Sequence, residues 1–262
     1  MVLGSGPNRI GQGIEFDYCC VQAALAFREE NIETIMINSN PETVSTDFDV
    51  SDKLYFEPIV AEDVFEIIRH ENPYGVVVQF GGQTPLKLTD EFEKNGVKIL
   101  GTPPSSIDTA ENREKFKTFL SEFNFLQPEN RIAQSVEDAK KAVEELSYPV
   151  IVRPSYVLGG RAMELIYTDN DLNNYLTKVA NISSDNPLLI EKFLDDAVEL
   201  DIDVICDGEK TLIGGVLQHI EEAGIHSGDS SCSFPPYSVG DTQLHALKKE
   251  IKAVAKKLNV VG

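Results

Sequence analysis

Met1-Val2-Leu3-Gly4-Ser5-Gly6-Pro7-Asn8-Arg9-Ile10-Gly11-Gln12-Gly13 is a short apolar run followed by a glycine-rich turn, and it leads into an amphipathic helical stretch from about Glu15 to Glu29. A strand that feeds a helix through such a turn opens a βα unit. Outward from it the alternation persists. Thr34 to Ile37 reads as a second strand closed by the turn formers Asn38-Ser39-Asn40-Pro41. Leu54 to Phe56 is a short apolar run, and Ala61 to His70 carries Val64, Phe65, Ile67 and Ile68 at helical spacing. Gly75 to Phe80 is a continuous buried-strand candidate, followed by Leu86 to Lys94 and Val97 to Leu100. Strands separated by helices of this length predict an α/β, doubly wound parallel sheet with its ligand-facing loops at the carboxyl ends of the strands. Gly101-Thr102-Pro103-Pro104 marks a boundary.

Past that boundary the pattern changes. A helical region from Ser105 to Glu122 and a helix from Ser135 to Leu146 precede the strand Val150 to Arg153. Met163 to Tyr167, Leu188 to Phe193, Val198 to Cys206 and Thr211 to Ile220 read as strands, with one helix near Asp169 to Ala180. Short turns such as Asp207-Gly208 favour antiparallel pairing. Val198 to Val204 alternates strictly, so one sheet face is apolar and the other carries Glu199, Asp201 and Asp203. A last helix, Gln243 to Leu258, precedes Asn259-Val260-Val261-Gly262, which reads as the beginning of another strand.

The 262 residues correspond to between one and two domains, with 42% hydrophobic and 25% charged residues, an ordinary globular balance. A net charge of −20 excludes general electrostatic affinity for nucleic acid or an anionic membrane. No apolar stretch approaches the ~20 residues of a membrane span, and the first residues lack the features of a secretory signal, so a cytoplasmic protein is expected. Cys19, Cys20, Cys206 and Cys232 form no C-x-x-C pair and match no zinc spacing; buried free thiols are expected.

Several stretches could carry chemistry. The first glycine loop lies where backbone N–H groups cradle anions, but Arg9 stands where a dinucleotide fingerprint needs its third glycine, and no P-loop lysine is present. Arg153 ends an apolar strand beside Pro154-Ser155-Tyr156-Val157-Leu158-Gly159-Gly160-Arg161, a place suited to gripping phosphate oxygens; the plainer alternative is a surface ion pair. Arg113 sits in a mixed-charge helix that also reads as merely solvated. Glu191 to Asp196 joins two strands and could offer backbone polar groups to a flat heterocycle, with Glu199 nearby for ribose hydroxyls. His219 and His226 lack the i, i+4 spacing of a metal pair; Gly224 to Asp229 reads as a polar loop in which His226 and Ser227 donate hydrogen bonds.

Together these segments resemble one family, the large subunit of carbamoyl-phosphate synthase, an ATP-grasp enzyme of two homologous halves. Gly4 to Tyr18, Asn40-Pro41-Glu42-Thr43-Val44-Ser45-Thr46-Asp47 and Gln79-Phe80-Gly81-Gly82-Gln83-Thr84-Pro85 are similar to its pre-ATP-grasp domain. Arg153 to Glu164 resembles the ATP-grasp domain of its carboxyl-terminal, carbamoyl phosphate-forming half. The resemblance implies a Rossmann-like domain over 1–103 and an α+β ATP-grasp domain over 104–262 that stops before its final metal-binding strands. It implies that Arg113 and Arg153 hold ATP phosphates, that Gly159 and Gly160 close over them, that Lys192 and Leu194 line the adenine pocket, and that Glu199 binds ribose. Gly224, Ile225, His226 and Ser227 become further nucleotide contacts. The implied reaction is phosphorylation of carbamate by MgATP, with Mg2+ or Mn2+ held by residues beyond Gly262. The implied setting is glutamine-dependent synthesis of carbamoyl phosphate from bicarbonate for arginine and pyrimidine biosynthesis, and residues 1–262 alone are expected to be inactive. The implied partners are the amino-terminal half of the same chain and a glutaminase small subunit, with carbamate arriving through an internal tunnel; Glu15 and Glu42, in two motif loops of the first domain, are expected to border that route. Two alternatives are a nicotinamide-dependent oxidoreductase and a non-catalytic nucleotide-binding or scaffolding module.

Overall fold

The structure is a computed structural model and describes residues 1–9, 12–154, 163–179, 187–223, 225 and 227–262. The chain opens with β1 (Val2–Leu3), α1 (Glu15–Glu29), β2 (Ile35–Ile37), β3 (Lys53–Tyr55), α2 (Ala61–Glu71), β4 (Val76–Val77), α3 (Gln83–Leu86), α4 (Thr89–Lys94) and β5 (Ile99–Leu100). The five strands form one parallel sheet in the order β3-β2-β1-β4-β5. Its strands read as continuous apolar runs because both faces are covered. Leu3, Ile35, Ile37, Val76 and Val78 pack against Val64 and Ile67 of α2 and Phe92 of α4, while Val2, Met36 and Val77 pack against Cys20, Val21 and Ala24 of α1.

Strand order reverses beside β1, so the loops after β1 and β4 diverge and leave a crevice at the carboxyl ends. The walls approach too closely for side chains: a Cβ on Gly81 would lie 2.5 Å from the Leu3 carbonyl oxygen, so only glycine fits. Buried Asn38 accepts from Gly6 N at 2.9 Å and donates to Ser45 Oγ at 2.9 Å. Gly6 N–H is therefore bonded within the protein rather than presented to a pyrophosphate. Gly75 to Phe80, expected as one strand, pairs only over Val76–Val77 and then winds into a 3-10 turn at Gln79–Gly81.

Next come α5 (Pro104–Glu111), α6 (Arg113–Glu122), β6 (Asn130–Ala133), α7 (Val136–Leu146), β7 (Val150–Pro154), β8 (Glu164–Ile166), α8 (Asp169–Lys178) and β9 (Leu188–Lys192). The single helical region expected over Ser105 to Glu122 is two helices. Asn112 has extended backbone (φ −85°, ψ 112°), and its Oδ1 accepts from Glu114 N and Lys115 N, which ends one helix and caps the next. The strands form an antiparallel sheet ordered β6-β9-β7-β8. Val150, Val152, Leu188 and Ile190 share its face toward α7 and α8, where Leu146, Leu172 and Tyr175 complete a core. By strand alternation Ile151, Arg153, Leu189 and Glu191 point to the other face.

Finally β10 (Leu200–Cys206), β11 (Thr211–His219) and β12 (Cys232–Ser233) make a three-stranded antiparallel sheet, and α9 (Asp241–Lys257) follows. The pairing with β11 shifts by one residue between Asp203 and Val204, where Gly214 of β11 is left without a partner in the register, and the alternation of β10 itself runs on unbroken. On the carboxylate-bearing side the paired Ile205 and Leu212 remain 61% and 67% exposed. The last residues bind back to this sheet through paired Cys206–Gly262 backbone bonds of 3.0 and 2.7 Å. Val261 O also accepts from Gln79 Nε2 at 2.8 Å and from Thr102 Oγ1 at 3.2 Å, which ties the antiparallel sheet to the carboxyl ends of β4 and β5.

Candidate functional site

Arg153 is the fourth residue of β7. Val150 and Val152, which precede it on alternate positions, anchor the strand to the α7/α8 core, so alternation sends the Arg153 side chain to the opposite face. There it meets Glu191 of β9, with Nη2 2.6 Å from Oε2. Register explains the meeting: Arg153 lies opposite Leu189, and Glu191 stands two residues along on the same face, a diagonal within reach of long side chains. The surface ion pair offered as the plainer reading is thus present, with the side chains 37% and 22% exposed. It leaves one group over. Arg153 Nε is buried and makes no hydrogen bond among the described residues.

A cavity of about 260 Å3 opens beside this pair, between the sheet and α6, and is lined among others by Phe116, Lys117, Leu120, Ile132 and Leu189. Lys117 reaches across and donates to Asn130 Oδ1 at 2.8 Å. Arg113 is placed by its backbone alone: it is the first residue of α6, one turn before Phe116 and Lys117. The two walls therefore each offer a cation, Arg153 from the sheet and Lys117 from α6, above an apolar floor, an arrangement able to take an anionic group attached to a flat or aliphatic body.

The other residues singled out in the sequence fall elsewhere. Lys192 belongs to the core-side face of β9, and its Nζ donates to Ser147 O at 3.1 Å and Tyr148 O at 3.0 Å, just beyond the carboxyl end of α7. Its side chain and that of Arg153 thus leave opposite faces of one sheet. Leu194 is 53% exposed in the connection to β10. Glu199 precedes β10, where its carbonyl accepts from His219 N at 3.0 Å. Ile225 is 43% exposed, and Ser227 opens a 3-10 turn whose Ser230 N donates to Ser227 O. Gly159, Gly160, Gly224 and His226 lie outside the described residues. Glu15 and Glu42 are exposed. The expectation of four buried thiols holds for Cys20 and Cys206 and fails for Cys19 and Cys232, which are exposed. Cys19 follows the solvent side of α1, one residue out of phase with the apolar stripe that includes Cys20.

Residues 1–109 match the family model of the carbamoyl phosphate synthase preATP-grasp domain, and residues 112–262 that of the carbamoyl-phosphate synthase L chain ATP binding domain. The chain belongs to the carbamoyl-phosphate synthase large-chain family. Large chains of carbamoyl phosphate synthase from Ralstonia nicotianae and Haemophilus ducreyi are each 57% identical to it over 262 residues, all of this chain and 24% of theirs. The chain thus spans about a quarter of the length of these relatives. Solved structures share the ATP-grasp fold at low identity. An N5-carboxyaminoimidazole ribonucleotide synthetase in complex with ADP superposes over the whole chain and 63% of its own, with a TM-score of 0.74 at 19% identity. The biotin carboxylase domain of the Hydrogenobacter thermophilus 2-oxoglutarate carboxylase, whose structure holds MgADP and bicarbonate, covers the whole chain and 58% of its own, with a TM-score of 0.72 at 18% identity. The parallel sheet followed by antiparallel ATP-grasp sheets expected from the sequence is the fold of this family member.

Lys117 was not singled out from the sequence, and Glu191 only as the first residue of a segment read for its backbone groups. Glu191 becomes Arg153's neighbour only through the β7/β9 register, and Lys117 lines the cavity because α6 begins at Arg113 rather than running on from α5. The described residues of the cleft do not fit a resident magnesium ion. Its carboxylates are Glu114 and Glu191, the latter held by Arg153, and no group of three potential acidic or histidine ligands lies there among the described residues.

Proposed function

We propose that the cleft between α6 and the Arg153 face of the antiparallel sheet receives the phosphates of ATP, and that the chain is the ATP-using part of a carbamoyl-phosphate synthase large chain. The observation that carries this reading is the buried Nε of Arg153, without a hydrogen bond among the described residues, beside a cavity that also presents Lys117. A guanidinium that keeps one N–H in reserve while Glu191 holds another side of it is pre-oriented for phosphate oxygens. Arg113, at the start of α6, is the second phosphate ligand in this reading. The backbone of 192–194 serves adenine, Glu199 the ribose, and Gly159, Gly160, Gly224, Ile225, His226 and Ser227 the closing contacts.

The reaction we infer is transfer of the γ-phosphoryl group of ATP to a carbamate oxygen, giving carbamoyl phosphate and ADP, as the second synthetase unit of the whole enzyme. Such a transfer needs no protein nucleophile; fixed cations that neutralise the moving charge supply most of the acceleration. In this reading 1–103 and 104–262 are the pre-ATP-grasp and ATP-grasp domains. The amino-terminal half of the large chain and a glutaminase subunit are partners, and Glu15 and Glu42 border the carbamate route. Arginine and pyrimidine synthesis are the pathways served. Because the described cleft lacks a magnesium-ligand cluster, residues 1–262 alone should bind nucleotide weakly and not turn over. Carbamate-dependent ADP formation, measured for residues 1–262 and for the full-length large chain, tests this: activity confined to the full-length chain and lost in Arg153→Ala supports it. A full-length chain whose turnover survives Arg153→Ala refutes it.

A further inference from the structure

The sheet β10-β11-β12 carries three different metal-binding side chains on one face. His219 is the last residue of β11 and lies opposite Cys232 of β12. Asp201 of β10 lies opposite Leu217, two residues before His219, so alternation puts Asp201 on the same face as His219. One carboxylate oxygen, one imidazole nitrogen and one sulfur all fall within 4.8 Å of one another. His219 Nε2 is 2.9 Å from Asp201 Oδ2. Backbone bonds on both sides hold the frame: His219 N to Glu199 O at 3.0 Å, and Ile220 N to Ser231 O at 2.9 Å.

From this juxtaposition we propose that Asp201, His219 and Cys232 form a binding site for a zinc ion, which shares no residue with the Arg153 cleft and borders Glu199, the residue assigned to ribose. The donor set selects the metal. One oxygen, one imidazole nitrogen and one thiolate suit Zn2+, whereas Mg2+ and Ca2+ require shells of oxygen. Ligand atoms of a tetrahedral zinc site stand about 3.3–3.8 Å apart, given metal–ligand bonds of about 2.0–2.3 Å. The three groups therefore reach such a site through a slight opening of the Asp201–His219 contact and an inward turn of Cys232. His219, with its side chain 1% exposed, is the rigid member, while Asp201 and Cys232 face solvent and give the ion its path. On binding, Cys232 releases its thiol proton to solvent, the metal replaces the Asp201–His219 hydrogen bond, and a fourth position stays open to water.

The experiment is a Zn2+ titration of the full, reduced, metal-stripped chain against a chromophoric chelator, with Co2+ as a spectroscopic substitute. One equivalent of Zn2+ and a thiolate-to-cobalt charge-transfer band are expected. Both persist in Cys19→Ser, which removes the other exposed thiol. Cys232→Ser abolishes the band and weakens Zn2+ binding roughly tenfold or more, and Asp201→Asn weakens it to a similar degree. Cys232→Ser changes an exposed residue, so an unaltered metal-free circular dichroism spectrum and melting temperature separate ligand loss from misfolding, and this variant decides the matter if Asp201→Asn fails to fold. Absence of stoichiometric binding, or binding and a cobalt band that survive Cys232→Ser, overturns the proposal.

Discussion

Replacing Glu191 separates the two roles that Arg153 can play. In the present structure the carboxylate takes Arg153 Nη2 at 2.6 Å, with side-chain exposures of 37% for Arg153 and 22% for Glu191. A pair this accessible lies between exposed pairs, worth about 0–1 kcal/mol, and fully buried ones, so its net stabilisation is set at about 1 kcal/mol. A phosphate that binds Arg153 must share the guanidinium with that carboxylate and bear its repulsion. Glu191→Gln therefore destabilises the fold by about 1 kcal/mol and, by removing the competing charge, tightens nucleotide binding about fivefold. Arg153→Ala costs the fold a similar amount but removes two charge-assisted bonds to phosphate, about 3 kcal/mol or a loss of more than 100-fold in affinity. Arg153→Lys keeps the charge without the fork and falls between the two. Calorimetric titration of ADP into the full-length large chain, beside urea unfolding, reads both quantities. Were Glu191→Gln and Arg153→Ala to lower stability alike and leave ADP affinity unmoved, Arg153 would be an ion-pair partner only and the phosphate assignment would fail.

Three further outcomes follow from other parts of the fold. Lys192→Met removes the ammonium that binds Ser147 O and Tyr148 O beyond the end of α7; a loss of about 1 kcal/mol, or a fall of about 2–4 °C in Tm, is expected with ADP affinity changed less than twofold. Asn112→Ala deprives α6 of the cap on Glu114 N and Lys115 N, costs about 1 kcal/mol, and loosens the helix that starts at Arg113, so ADP affinity falls in parallel with stability. The third concerns acid. Lys53 and Tyr55, both bonded to Glu71, hold its carboxyl below the ordinary value of 4.5, so its contribution is present above about pH 4.5 and is lost as pH falls through the depressed value. Glu71→Gln should flatten the acid limb of a stability-versus-pH curve and leave the region from about pH 6 to 9 parallel to wild type, short of the range where Lys53 and Tyr55, both raised by Glu71, titrate; an unchanged acid limb would exclude Glu71 from acid unfolding.

Much of this architecture is legible in the residues because the responsible forces are local. Glu15–Glu29 is a helix at the bounds its apolar spacing predicts, and Ile35-Met36-Ile37 is buried on both faces, as a continuous apolar run in a parallel sheet requires. Asn112 shows where local reading stops. Within Ser105 to Glu122 it looks like one more polar residue of a solvated helix, and only its extended backbone makes it a cap that starts α6 afresh and places Lys117 over the cleft. Gly75 to Phe80 fails for a related reason: the run is apolar enough for a strand, but the close approach of Gly81 to the Leu3 carbonyl turns the chain after Val78.

Sites built across strands are the least legible, because their spacing in the chain carries no signal. Arg153 and Glu191 are 38 positions apart, and Asp201 and His219 are 18 apart. A search for zinc by fixed intervals tests ligands carried on one turn or one helix, where position in the chain and position in space are coupled. In an antiparallel sheet the coupling runs through register. Once His219 is set opposite Cys232, the residue types facing them from β10 are fixed by parity alone: odd positions from Glu199 to Asp203 share their side, and a one-residue slip would present Leu200 and Ile202 instead. The register shift between Asp203 and Val204 falls on Gly214 of β11, beyond Asp201, so it displaces the β11 partners of Val204 to Cys206 without disturbing the three ligands. A designed shift of β10 by one residue should therefore abolish zinc binding while all three side chains remain in the sequence, and a shifted chain that still bound one equivalent would show that register does not build the site.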